Sequence, residues 1–122
     1  MVDVATVRRL AMALPETLDC SSELRLAFEV RGKGIAWSFM ERVHPKKPRV
    51  PRLDILAVRC LIERKEMLVE AAPDSFFDDD HYRGYPAVLI RLPIVDEAEL
   101  AGLLRDAWRI QAPKALQGLL GD

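Results

Sequence analysis

The sequence predicts an α+β domain of two layers, with one antiparallel five-stranded sheet and helices on a single face, in the order α-β(3)-α-β(2)-α. Three observations predict it. A segment of alternating polarity brackets a Gly-Lys-Gly turn, apolar stripes of helical spacing stand near both ends, and short apolar runs between them are divided by prolines. Half of the 122 residues are apolar, enough for a core that needs neither disulfide nor metal. No repeat, low-complexity tract or linker divides residues 1–122, so they read as one domain.

From Asp3 to Leu14, Val4, Val7, Leu10, Ala11 and Leu14 recur at helical spacing, and Pro15 ends that helix. The following T-L-D-C-S-S reads as a polar connector. From Leu24 to Arg31, Leu24, Leu26, Phe28 and Val30 alternate with Arg25, Glu29 and Arg31, the pattern of a half-buried strand. Gly32-Lys33-Gly34 is the expected turn, and Ile35, Trp37 and Phe39 share one face of the returning strand. Three prolines make residues 41–52 an exposed loop.

Asp54 to Leu61 is the third strand. Glu63 to Ala72 is a short helix with Met67, Leu68, Ala71 and Ala72 inward, stopped by Pro73. Residues 75–77 and 87–92 supply the last two strands, on either side of the H-Y-R-G-Y-P turn. In the final helix Asp96 is the cap, Glu99 completes a capping box, and Leu100, Leu103, Leu104, Ala107 and Trp108 form the buried stripe. Lys114 to Leu120 is a terminal turn ended by Gly121.

Net charge is −1, so no global field recruits nucleic acid or an anionic membrane. Cys20 and Cys60 are far apart in no metal-binding pattern, which disfavours a disulfide or zinc and fits a reducing cytosol. The first residues mix Asp3 with arginines and lack the layout of a signal peptide. No apolar run approaches the roughly 18 residues that span a bilayer. A soluble cytoplasmic protein is expected, with no membrane partner.

One segment breaks the charge balance. Arg42, Lys46, Lys47, Arg49 and Arg52 place five positive charges in eleven residues without an acid among them. A proline-stiffened arm of this kind can touch phosphates, each cation releasing a counterion. The same composition also suits a solvated loop that keeps strand edges from pairing. Asp78, Asp79 and Asp80 precede His81, but neighbours on an extended chain point to opposite sides and do not converge on a metal. No serine or cysteine stands in a nucleophile motif, and the glycines fit no nucleotide-cradling loop. No catalytic residue, metal site or cofactor is expected. Trp37 and Trp108 read as core, while Tyr82 and Tyr85, flanking the turn, combine an apolar body with a polar tip.

The series A-F-E-V-R-G-K, A-W-S-F, A-A-P-D-S-F-F, H-Y-R-G-Y-P-A-V-L-I-R-L and L-L-R-D-A-W-R-I-Q-A-P-K resembles the MmcQ/YjbR family over roughly Val4 to Leu116. The resemblance implies a small bacterial protein with the α-β(3)-α-β(2)-α fold. That fold is akin to secretion chaperones and described as a double-wing DNA-binding type. The positions matching the family motif are Phe76, Phe77, His81, Tyr82, Gly84, Tyr85, Pro86, Trp108, Pro113 and Lys114.

The resulting expectation is a non-enzymatic protein that binds DNA or another nucleic acid. Lys33 at the hairpin tip and Arg42, Lys46, Lys47, Arg49 and Arg52 on the arm would contact phosphates, with Tyr82 and Tyr85 available for stacking. The alternative is a protein-interaction or small-ligand module at the turn of His81, Tyr82 and Tyr85, shared across a homodimer, with no nucleic-acid role.

Overall fold

The structure is a computed structural model that describes residues 2–120; the expected stop at Gly121 lies outside them. The chain runs α1 (Val4–Met12), β1 (Thr17–Asp19), β2 (Ala27–Val30), β3 (Lys33–Glu41), β4 (Val50–Arg59), α2 (Ile62–Ala71), β5 (Phe76–Phe77), β6 (Ala87–Arg91), α3 (Glu97–Gln111) and a 3-10 helix, Lys114–Leu119. The strands form one antiparallel sheet in the order β1-β2-β3-β4-β6-β5. It therefore has six strands, not five. The extra one is β1, inside the segment read as a connector. Three residues are too few to show alternation, and Leu18 points outward at 59% exposure, so no apolar signal marked it.

The hairpin forms as expected, with its turn one step earlier. Val30 pairs with Lys33, leaving Arg31 and Gly32 as the two turn residues, at φ 50° and 80°. Positive φ at both central positions is the mirror-image turn whose twist suits a hairpin. The register then slips between Phe28 and Glu29, with Ala36 and Gly34 as partners, so Ile35 is an extra residue. This bulge corrects the expected face. Ile35 joins Ala36 beneath the helices, whereas Trp37 and Phe39 turn to the opposite side.

A second slip falls between Ser38 and Phe39, whose partners are Leu56 and Arg52, so residues 53–55 leave the β3 ladder. Buried Ser38 spans the gap to the strand before it: its Oγ accepts from Leu26 N at 2.8 Å, and its N–H donates to Leu26 O at 3.0 Å. Leu24, expected inward, is 70% exposed, because pairing begins only at Ala27.

One face of the sheet carries the main core. Val7 and Ala11 of α1 and Leu100, Leu103, Leu104, Ala107 and Trp108 of α3 pack there on Phe28, Val30, Ile35, Leu56, Val58, Val88 and Ile90. Both helices start as the sequence predicts. Asp3 accepts from Thr6 N at 2.8 Å, and Asp96 accepts from Glu99 N at 3.2 Å. Trp108 is fully buried and donates Nε1–H to Pro15 O at 2.8 Å, tying α3 to the turn after α1.

The short α2 differs from expectation. Met67 is 65% exposed, and the inward positions are Leu68 and, unexpectedly, Lys65. Among the described residues no helix is long and apolar enough to cross a membrane.

Candidate functional site

The other face of the sheet is not covered by helices. A second, smaller cluster lies there, made of Phe39, Ile55, Ala57, Tyr82, Ala87 and Leu89, with Trp37 and Phe77 against it. What closes it is the turn from His81 to Pro86. That turn is built from its own backbone: Tyr82 N donates to Asp79 O and Oδ1, and Tyr85 N donates to Tyr82 O at 2.9 Å. Gly84, at φ 76°, takes the left-handed conformation that a side chain would disfavour.

Lys65 of α2 locks the turn from behind. Its ammonium donates to Tyr82 O at 2.7 Å and Tyr85 O at 2.9 Å and pairs with Asp78 at 3.0 Å. Three acceptors match the three N–H bonds of a lysine, which is what allows the charge to be buried. The triple aspartate divides accordingly. Asp78 goes to Lys65, Asp79 caps Tyr82, and Asp80 pairs with Arg83 at 2.6 Å. Among the described residues no cluster of His, Cys, Asp and Glu could hold a metal ion.

Against this turn lies a cleft of about 300 Å³, walled by Trp37, His81, Tyr82 and Tyr85. The rings meet edge to face: Trp37 and Tyr85 at 76° with centroids 6.4 Å apart, Tyr82 and Tyr85 at 88° and 5.8 Å. His81 is exposed, its ring 5.4 Å from that of Tyr82. Trp37 Nε1 donates to Tyr82 Oη at 2.9 Å. Arg59 stands behind, its guanidinium carbon 5.6 Å from the Trp37 ring centroid and 5.0 Å from that of Tyr85, and donates to Tyr85 Oη at 3.0 Å. Burial raises the Tyr82 phenol pKa above its ordinary 10, against the opposing hydrogen bond from Trp37. The hydroxyl therefore stays protonated through the neutral range.

Beside the cleft, sharing His81, opens a groove of about 590 Å³ whose walls carry Arg42, Arg49, Arg52 and Arg91 together with the carboxylates Glu41, Asp79 and Asp80. Here the cationic arm can be judged residue by residue. Arg52 is not in the loop but in β4, where Asp54 at 2.7 Å and Glu41 at 2.9 Å neutralise it. Its hydrogen bond holds the Asp54 carboxyl below the usual range. Arg42 donates to Pro45 O at 3.1 Å and Arg49 to Met40 O at 3.1 Å. Those acceptors are neutral carbonyls and leave both charges uncancelled. Lys46 and Lys47 are exposed.

Lys33 does not belong to this group. It begins β3 while the arm follows the far end of that strand at Glu41, about 26 Å away at a strand's rise per residue. The structure thus brings Arg42 and Arg49 into one groove with His81, whose ring also walls the cleft of Tyr82 and Tyr85, and leaves Lys46 and Lys47 exposed on the loop between β3 and β4. It sets Lys33 apart and pairs off Arg52.

Sequence reasoning missed Trp37 as a wall of the cleft, and it missed Lys65 and Arg59. A signal existed for the last two. Lys65 precedes the buried Leu68 by three residues, about one helical turn, and Arg59 continues the alternation of Ile55 and Ala57. Neither thiol is primed as a nucleophile. Burial raises the pKa of Cys60, and partial desolvation followed by Glu29 raises that of Cys20.

Comparison with known proteins agrees with this architecture. Uncharacterized protein Mb2600 of Mycobacterium bovis and uncharacterized protein Rv2570 of Mycobacterium tuberculosis are each 42% identical over 67 residues, 54% of this chain and 52% of theirs. The chain therefore spans about half the length of the curated relatives it matches. The crystal structure of Deinococcus radiodurans protein DR2400, a DUF419 domain, aligns with a TM-score of 0.69 over 98% of this chain and 85% of that one. At 22% identity that likeness shows a common fold. The YjbR family model matches residues 12–110. On that match, which takes in the sheet, the His81–Pro86 turn and nearly all of α3, the chain belongs to the YjbR family.

Proposed function

We propose that this protein is a non-enzymatic nucleic-acid-binding protein that lays a single strand along the helix-free face of its sheet. One observation carries the reading. Arg42, Lys46, Lys47 and Arg49 have no carboxylate within ion-pair distance among the described residues, and Arg42 and Arg49 wall, with Arg91, the groove that meets the aromatic cleft at His81. Cations that follow a backbone beside aromatic rings that accept bases are the two components of single-strand recognition. The cations supply affinity by releasing counterions from phosphates and carry no sequence information. Two thiols held protonated support a binding role over nucleophilic chemistry.

The test is a titration of a fluorescent single-stranded oligonucleotide at several salt concentrations. Four phosphate contacts give a slope of log K against log[salt] of about −3, at roughly −0.7 per contact on a single strand. Replacing Lys46, Lys47 and Arg49 by Ala should flatten the slope by about 2. No binding at about 50 mM salt, or a triple variant that binds unchanged, overturns the reading.

A further inference from the structure

We propose that His81 is a phosphate-binding residue whose protonated ring holds the phosphate between a base in the cleft and the strand along the groove, so that binding takes up a proton. The inference rests on the single-strand reading for its ligand; the choice of residue comes from the position and surroundings of the ring.

Position comes first. The cleft is walled by Trp37, His81, Tyr82 and Tyr85, and the groove carries His81 among its arginines, so this imidazole is the side chain common to both. In a nucleic-acid chain a phosphate follows every base. A strand with one base against the tyrosines and its backbone in the groove therefore passes a phosphate at this junction.

The groups that face the ring favour an anion. Each carboxylate of the groove is already engaged: Glu41 with Arg52 at 2.9 Å, Asp79 with Tyr82 N at 2.8 Å, and Asp80 with Arg83 at 2.6 Å. Arg42, Arg49 and Arg91 donate to the carbonyls of Pro45, Met40 and Pro73, which leave their charges uncancelled. Tyr82 meets the imidazole edge to face at 73° and keeps its phenol proton. His81 itself is exposed and makes no ion pair among the described residues.

The sequence has two histidines, and imidazole is the side chain that ordinarily changes charge between about pH 5.5 and 8. Raised pKa values keep Cys20, Cys60 and Tyr82 out of that window. His44 is engaged: its Nδ1 accepts from Lys46 N at 3.1 Å, and a proton there would cost the arm that bond. His81 has no such bond to lose among the described residues. A phosphate beside it favours the charged ring, and by linkage the charged ring favours the phosphate. Affinity should therefore rise as pH falls through the imidazole range and level off below it.

The test is a titration with an oligothymidylate that lacks a terminal phosphate, so the ligand holds one charge throughout. It is run at about 50 mM salt and from about pH 5.5 to about pH 8. Binding should be about fivefold tighter at the acid end, the effect of one charge contact at about 4 Å in water. His81→Gln should bind at every pH as weakly as the unmodified protein binds at the alkaline end. His81→Lys carries a fixed charge and should bind at every pH about as tightly as the unmodified protein binds at the acid end. His44→Gln should keep the pH dependence.

A pH dependence that survives His81→Gln, or one that vanishes with His44→Gln, overturns the inference. In ¹⁵N-labelled protein the indole N–H signal of Trp108, buried and held by Pro15 O, reports the fold of each variant. Should a His81 variant move that signal, the His44→Gln profile decides, because His81 is then the imidazole left to titrate. Binding with a flat pH profile defeats this inference alone. No binding at any of these pH values defeats the single-strand reading and this inference with it.

Discussion

The two tryptophans lie on opposite faces of one sheet, in different surroundings. Trp108 sits under α1 and α3 with no exposed surface and gives its N–H to a backbone carbonyl. Trp37 is half-buried, gives its N–H to a tyrosine hydroxyl, and is faced by an arginine. The helix-covered face is almost wholly apolar, and its side chains answer only to packing. The helix-free face buries a smaller cluster and surrounds it with hydroxyls, guanidinium groups and an imidazole. The difference separates a face that is packed from one that keeps polar and charged groups within reach of solvent.

Truncation should break that symmetry most strongly. Trp108→Ala should cost about 3–5 kcal/mol, the range for emptying a large aromatic site in a core that cannot collapse. Trp37→Ala should cost clearly less, because solvent already reaches the ring. Urea denaturation of both variants checks this; equal losses would mean that the two faces are one core.

Lys65→Met sharpens the comparison at the join between the faces. It removes three hydrogen bonds but leaves each turn carbonyl one backbone donor and leaves Asp78, about one-third exposed, to water. A loss of about 1–3 kcal/mol is expected. Hydrogen exchange should also quicken at Tyr82 and Tyr85 while the amides of α3 stay protected. Uniform acceleration would show that Lys65 supports the whole fold and not the turn.

The smallest effect is one of pH. Burial raises the Tyr82 pKa in the folded protein, so the folded state holds that proton longer than the unfolded chain does. Its contribution is present in full below the ordinary value near 10 and is lost as pH rises through the folded value. Tyr82→Phe should therefore lessen the decline of stability at alkaline pH and leave acid stability alone. Denaturation midpoints at a series of alkaline pH values would show it.

How much of this was legible depends on the range of the interaction responsible. The cap at Asp96 and the stripe from Leu100 to Trp108 follow from residues within a turn or two, and they stand where the sequence puts them. The hairpin of β2 and β3 follows from alternation and two glycines. Tyr82, Tyr85 and His81 stood out because the turn holding them is local. Trp37 was assigned to the core because alternation ran straight through Ile35, and a bulge set by the neighbouring strand reversed the face. Met67 and Lys65 exchanged roles because α2 is oriented by the turn it supports, which lies about twenty residues further along the chain.

The sequence by itself determined the family, the helix ends, the hairpin and the presence of a cationic arm, all of which depend on neighbours in the chain. Only the tertiary structure decided that six strands share the sheet, that Arg52 is cancelled by Glu41 and Asp54, and that Lys33 stands apart from the arm. It also set the arm beside an aromatic cleft. The physical reason is that charge cancellation and ring contact act through space, over distances fixed by strand register, and register is a property of pairs of strands.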